Sequence, residues 1–427
     1  MMIQATWPRR ERTVLIAFAL FFLLHLSTVN LIATLAKFPT GIDELHHLSY
    51  VYHVDRHPEW IPDYTRMYLI DVEKPDTFTE TRNWLWHPSF YYQALKALVD
   101  PGEVPLDNAV SRLRWVNMAI SGLAAACLLA FGLRHLAGSE EMIVYAAAIA
   151  LCPKLGVMGG MINVDNLAIL GGAIVFLGLA RFLKGNVSLS TAALIGSGFA
   201  IGGLSKLTTG AMVGLWIVFC HLPSAARFRK LARKDVAYLL CLLAFAAVGV
   251  APYVGNLLVY GTPLFFDKSV YPMGGGILSL AEYTVHFLGA LMASWSPFVF
   301  DTIDMIALFS LLGLSLFGTW RALSPGGAPG RRPLGILAAA CFASIVLGIA
   351  MNIWVTYDLH LATGFLPKVF LRLYLPLWGG LAAGTALGIG ALATPARRIA
   401  ASGAVLALLF YSHTVTLAAD VLITHGG

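Results

Sequence analysis

Runs of about twenty apolar residues recur along nearly the whole chain, each separated from the next by a few charged or turn-forming residues. A run of that length is what a helix needs to cross the roughly 30 Å hydrocarbon core of a bilayer. Lipid offers no partner to a backbone amide or carbonyl, so a chain built this way folds as a bundle of spanning helices. Composition agrees: 58% of the 427 residues are hydrophobic and 12% are charged, against roughly 25% charged in a soluble domain. A soluble enzyme and a disordered tail are both excluded. The five cysteines, Cys127, Cys152, Cys220, Cys241 and Cys341, lie inside apolar runs without disulfide or zinc spacing and read as small core hydrophobes. The net charge of +6 sits in short clusters between the runs and not along one basic face, so no nucleic-acid partner is expected.

The expected fold is all-α, a polytopic transmembrane bundle of about 11 spans, forming a single domain over 1–427. The runs fall near 14–36, 115–134, 141–158, 164–183, 189–205, 207–223, 236–259, 303–323, 333–354, 369–392 and 399–421. The first follows Arg9, Arg10 and Arg12 and is too long for the core of a cleaved signal peptide, so it reads as a retained helix with a cytoplasmic amino terminus. Alternation from that start puts Arg134, Arg181 and Lys184, and the cluster from Arg227 to Lys234 on the cytoplasmic side, as the positive-inside rule requires. Counting 281–299 as a further span would put Arg321, Arg331 and Arg332 outside; that segment is therefore expected to be re-entrant or interfacial. Thr394 to Arg398 then lie inside and the carboxyl terminus outside.

One loop breaks the pattern. Residues 37–107 carry 12 of the 23 acidic residues and five of the 12 histidines. A polar insertion this long is usually functional, and residues 37–112 are expected to form an external cap of short helices along the membrane surface, the first starting near Thr40. If it does, Asp43, His46, His47, Tyr50 and Val54 recur at helical spacing and share a face. The same residues admit a local capping arrangement between Thr40 and Asp43, or a divalent metal held by the histidines and a carboxylate, for which no third ligand is evident. A metal is possible but not favoured, and no cofactor is expected. Further on, His87 and Tyr91 face the same way if the chain turns helical after Pro88.

Ionisable residues at the external ends of later spans complete the candidate set. Lys154 stands in an apolar run where a charge needs a polar cavity, and Asn163 and Asp165 open the next helix. Lys206 links two short helices, Lys268 follows the seventh, and Lys368 and Arg372 lie on one side of the helix beginning near Val369. Each cation alone admits snorkelling to lipid headgroups. Together with the acids of the first loop they describe a site holding a general base and an anion clamp.

So placed, the chain resembles the membrane glycosyltransferases of the GT-C fold, notably the protein O-mannosyltransferases and the bacterial lipid A aminoarabinose transferase. The family's Asp-Glu pair in the first external loop is matched by Asp43-Glu44, and its Pro-rich Tyr-Tyr element by His87-Pro88-Ser89-Phe90-Tyr91-Tyr92. Asp165 matches the acid opening the fourth helix, and Gly202-Gly203-Leu204-Ser205-Lys206 the small-residue helix ending in Ser/Thr-Lys. Arg372-Leu373-Tyr374-Leu375-Pro376 matches the late Arg-x-Tyr-x-x-Pro element loosely. Ser89 stands where many relatives have a second Pro, and no soluble carboxyl-terminal domain is expected after the last helix, an expectation that speaks against an oligosaccharyltransferase-like enzyme.

The resemblance implies transfer of a sugar, with inversion, from a polyprenyl-phosphate donor to a glycan, lipid or protein acceptor on the external face of a bacterial cytoplasmic membrane. It implies Asp43 as base with Glu44 as the fallback, His46, His47 and Asp165 positioning acceptor or sugar, and Lys206 and Arg372 holding phosphate. His87, Tyr91, Lys154, Asn163, Lys268 and Lys368 complete the expected substrate-binding set. The competing expectation is a transporter or flippase of a lipid-linked sugar, which would carry polar residues through the full membrane depth. The cytoplasmic halves of these runs are nearly pure Leu, Ala, Val, Ile and Gly, which favours the enzyme.

Overall fold

The structure, a computed structural model, describes residues 9–39, 43–224, 232–263, 265, 267, 271, 274–294, 302–366 and 371–425. In chain order the helices are α1 (Arg9–Leu35), α2 (Glu44–Arg56), α3 (Phe90–Val99), α4 (Leu106–His135), α5 (Ser139–Ala150), α6 (Pro153–Gly159), α7 (Asp165–Leu183) and α8 (Leu189–Ser205). They continue as α9 (Leu207–His221), α10 (Arg233–Tyr260), α11 (Leu280–Ala293), α12 (Thr302–Leu323), α13 (Arg332–Thr363), α14 (Trp378–Gly390) and α15 (Pro395–His425). A 3₁₀ segment, Leu371–Leu377, leads into α14.

Among the described residues nine helical stretches are long and apolar enough to cross a membrane. Two more of the runs read from sequence form elements of a different kind. Helices α5 and α6 make one pair bent by 45°, broken where Pro153 supplies no backbone N–H and restricts the residue before it. Helix α8 is apolar but only 17 residues long. Helix α11, within the segment expected to stop short of crossing, has 14 residues, about 21 Å at 1.5 Å per residue, well under the hydrocarbon thickness.

The first loop folds on a core of its own. Leu48, Tyr50, Val51, Val54, Met67, Ile70, Leu85, Tyr91, Tyr92 and Leu95 are buried together, apart from the larger cluster inside the bundle. The reading of this loop as helices alone missed a small antiparallel hairpin, β1 (Tyr68–Ile70) with β2 (Phe78–Arg82), in which Tyr68 faces Arg82 and Ile70 faces Phe78. Strands of three and five residues are too short to show a period of two. The hairpin is fastened to α2 because Ile70 N–H donates to Ser49 Oγ at 3.0 Å. Helix α2 itself begins at Glu44, and Thr40 lies outside the described residues.

Two close approaches bring the ends of distant spans together. A Cβ on Gly171 would lie 2.7 Å from the Gly198 carbonyl oxygen, and one on Gly198 2.6 Å from that of Gly171. Small residues at such crossings let helix backbones touch, and here they set the start of α7 beside the end of α8. A side chain at Gly172 would likewise collide with the backbone of Pro376, so the 371–377 segment lies directly against the first turns of α7.

Candidate active site

The contacts between α7, α8 and the 371–377 segment gather four charged side chains from remote parts of the chain. Lys206, in extended backbone between α8 and α9, donates from Nζ to Asp165 Oδ1 at 3.0 Å. Asp165 Oδ2 lies 3.6 Å from Arg372 Nε, and an Arg372 NH2 group donates to Asp43 Oδ2. The result is a row of alternating sign, Lys206, Asp165, Arg372, Asp43, with no net charge. Its inner members are nearly dry, Asp165 at 4% and Arg372 at 8% side-chain exposure, whereas the ends reach 13% at Lys206 and 17% at Asp43. Asp165 is the first residue of α7, where the helix dipole favours a carboxylate. Its own N–H is capped by Asn163 Oδ1 at 2.9 Å.

Asp43 does not sit on the α2 face that periodicity suggested. It precedes the helix with φ 57° and ψ 13°, and its side chain makes no cap hydrogen bond. A non-glycine residue held in the left-handed region carries strain of about 1–3 kcal/mol, and such positions cluster at functional sites. Asp is among the residues that tolerate it best. This turn removes the carboxylate from the helix and directs it at Arg372.

Glu44, one residue on, is fully buried. Arg114 Nε donates to its Oε1 at 2.8 Å and an Arg114 NH2 group to its Oε2 at 2.6 Å, and Ile162 N–H adds a third bond at 3.1 Å. Arg114 also donates to the carbonyls of Ala33 and Ala36. The pair thereby joins the end of α1, the start of α2, α4 and the segment before α7. Sequence reasoning passed over Arg114, although an arginine inside an apolar helix was a signal in plain view.

The two loop histidines part company. Trp84 Nε1 donates to His46 Nε2 at 2.9 Å, which leaves the proton on Nδ1, 3.3 Å from Asn83 Oδ1. Both ring nitrogens of His46 thus serve the cap, and burial holds it below the usual histidine range. His47 bonds Tyr92 through Nδ1 at 2.9 Å and stacks on His87 with ring centroids 6.4 Å apart. Burial first, then the neighbouring positive charges, keeps both neutral: His47 titrates well below the ordinary range and His87 is pushed down to about 3, Lys206 and Arg372 adding to the effect. Two tyrosine hydroxyls, Tyr50 at 2.7 Å and Tyr64 at 3.2 Å, donate to the His87 carbonyl and fix the His87-Pro88 turn beside the charged row.

Of the other expected residues, Tyr91 is buried and donates to Asn117 Oδ1 at 2.7 Å, an oxygen shared with Asn166 at 3.0 Å. Asn117, a polar group within an apolar helix, was also passed over. Lys154 is half-buried at the second position of α6, while the Asp165 carboxylate is taken by Lys206 and Arg372. Lys268 and Lys368 lie outside the described residues. Among the described residues no group of three or more His, Cys, Asp or Glu side chains has the arrangement of a metal site.

An apolar cavity of about 230 Å³ lies between α11, α12, α13 and the 371–381 segment, lined among others by Leu291, Phe342, Ile349, Leu371, Tyr374 and Leu375. Leu371, in the wall of this cavity, immediately precedes Arg372 in the chain, and a charged row with an apolar space nearby suits an amphiphile with an anionic head.

No protein-family profile matches the sequence, and no curated protein is significantly similar to it. Among solved structures the fold is similar to that of ArnT from Cupriavidus metallidurans in the apo state, with a TM-score of 0.53 at 13% identity over 88% of this chain and 60% of that one. It is also similar to the same protein bound to undecaprenyl phosphate, with a TM-score of 0.50 at 11% identity over 89% of this chain and 60% of that one. The chain therefore spans about 60% of the length of the structures it matches. At this identity the likeness concerns the fold, and the fold is the GT-C architecture that the sequence resemblance implies.

Proposed function

We propose that this protein is an integral-membrane glycosyltransferase that moves a sugar from a polyprenyl-phosphate donor to an acceptor hydroxyl, with inversion at the anomeric carbon. The row from Lys206 to Asp43 is the observation that carries this reading. A donor phosphate competes with Asp165 and Asp43 for Lys206 and Arg372, and the apolar cavity beside Leu371 and Tyr374 receives the first prenyl units. Once Arg372 turns to the phosphate, Asp43 is released from its ion pair while still held beside the site by the turn before α2. The acceptor oxygen then attacks the anomeric carbon as the bond to the phosphate oxygen breaks. The acceptor proton passes to Asp43, and the polyprenyl phosphate leaves with its charge held by the two cations, without needing a proton. Neutral His47 and His87 position sugar or acceptor without competing for the phosphate.

Support comes from a fold neighbour whose structure holds undecaprenyl phosphate and from the sidedness of charge. Arg321, Arg331, Arg332, Arg397 and Arg398 fall at the opposite ends of the spans from Asp43, which under the positive-inside rule supports reading the row as external. The test is to incubate the purified protein with a panel of labelled polyprenyl-phosphate sugars and membrane extract and to identify the labelled product. Transfer of one sugar to a glycan, lipid or protein is expected. Donor binding and passage across a vesicle membrane without any transfer would overturn the enzymatic reading in favour of a transporter.

A further inference from the structure

At the far end of the 371–390 stretch, roughly 30 Å from Arg372 by the rise of its seven 3₁₀ and thirteen α-helical residues, the bundle holds another cavity, this one polar. It has a volume of about 340 Å³ and is lined by Arg321 at the end of α12, Arg331 before α13 and Arg398 in the first turn of α15, with the glycine-rich turn 326–328 and the end of α14 between them. A bilayer thickness separates it from the row at Asp43, so it belongs to a different site.

Three arginines are among the lining residues of this cavity, and one acid pairs with one of them. Glu141, itself buried, accepts from an Arg331 NH2 group at 2.5 Å. Gly390 makes room for that pair: a Cβ there would collide with the Glu141 carboxylate and lie 2.6 Å from Arg331 NH1. Arg398 spends its Nε on the Leu392 carbonyl at 3.0 Å, an anchor that fixes the guanidinium at the cavity wall. Arg321 lies over the Trp320 ring at 5.7 Å. Counted over these residues, three arginines and one glutamate leave an excess of two positive charges beside a space large enough for a tetrahedral anion. Guanidinium groups set as a fork are the usual partners of phosphate oxygens. Outside the cavity Trp320 is 61% and Leu323 40% exposed on α12, an aromatic and aliphatic surface of the kind that meets lipid at headgroup depth.

We propose that this cavity binds a phosphate group, first of all that of an anionic lipid headgroup whose acyl chains lie along α12. It is independent of the glycosyl-transfer reading. The probe is a 1:1 mixture of phosphatidylglycerol and phosphatidylcholine added to the purified full chain in detergent, with bound lipid counted by native mass spectrometry. The wild type is expected to retain phosphatidylglycerol about tenfold or more over phosphatidylcholine, the worth of one charge-assisted hydrogen bond at the low end. Arg321→Gln with Arg398→Gln should abolish the preference, while Arg134→Gln with Arg181→Gln, which removes the same charge elsewhere, should keep it. In a parallel arm, inorganic phosphate that binds the wild type, and not the Arg321/Arg398 variant, in place of the lipid would identify free phosphate as the source of the same chemistry. Equal retention of the two lipids by the wild type together with no phosphate binding overturns the proposal, and that arm needs no variant to fold. Equal loss in both double variants overturns it too, because the preference would then follow net charge alone.

Discussion

Two adjacent carboxylates meet two arginines in this molecule and end in different surroundings. Glu44 is sealed at 0% side-chain exposure against Arg114 at 5%, and its bonds to Arg114 and Ile162 occupy both oxygens. Asp43 keeps 17% exposure, sits in a strained left-handed turn and shares its arginine with a second acid, Asp165. The first pair joins four segments and has no room for a substrate. The second is an incompletely dedicated pair, and in the function proposed above a competing anion takes its cation and frees the base. Proximity in sequence therefore says little about role: surroundings make one acid an anchor and leave the other as the reactive group of the function proposed above.

The largest effect should come from breaking the anchor. Glu44→Ala leaves the Arg114 guanidinium buried without its counter-charge, and removal of one partner from a buried pair typically costs about 3–5 kcal/mol. Loss of folded protein is expected in detergent, read as a fall in monodisperse yield and melting temperature. A Glu44→Ala protein that folds normally but fails in transfer would reverse the comparison and put Glu44 in the reaction.

The reactive row should respond in activity before stability. Lys206→Gln keeps a donor for Asp165 but removes the charge offered to the donor phosphate. A charge-assisted hydrogen bond is worth about 1.5–3 kcal/mol, so donor use should fall roughly ten- to a hundredfold with a near-normal melting temperature. Unchanged donor kinetics would remove Lys206 from the phosphate site.

Taken per pH unit, the smallest effect is in pH dependence. Folded His87 titrates at about 3, against about 6.5 for an unfolded histidine. Between those values the unfolded chain holds the proton and the folded one does not. Stability contributed by the neutral ring is thus complete above about pH 6.5 and is lost as pH falls through that window, by no more than about 1.4 kcal/mol per pH unit. His87→Asn should flatten acid unfolding between pH 6 and 4 when melting temperature is followed against pH, whereas an identical profile would show that His87 is not held neutral by the fold.

Much of this was legible in the sequence, for a physical reason. Hydropathy must report spans because lipid permits no compromise, and an ionisable residue at a span end is rare enough to be noticed, which is how Asp165, Lys206 and Arg372 came to attention together. What escaped is set by long-range partner choice. Nothing local distinguishes Asp43 from Glu44, and Arg114 chooses between them from 70 residues away. The helical periodicity that placed Asp43 with His46 and His47 failed at its first residue, because the chain enters α2 through a left-handed turn. His46 is taken up by Trp84, a contact across 38 residues that spacing cannot reveal.

The most direct test compares Asp43→Asn with the wild type in donor binding and in single-turnover transfer, using whichever polyprenyl-phosphate sugar the panel identifies. Asn fits the same left-handed turn and still offers an oxygen to Arg372, so the variant should fold and bind donor. It cannot accept the acceptor's proton, and transfer should fall by roughly 10²–10⁴-fold, the usual range for loss of a general base. Near wild-type transfer by Asp43→Asn, with donor binding intact, would contradict the assignment of the base to this carboxylate.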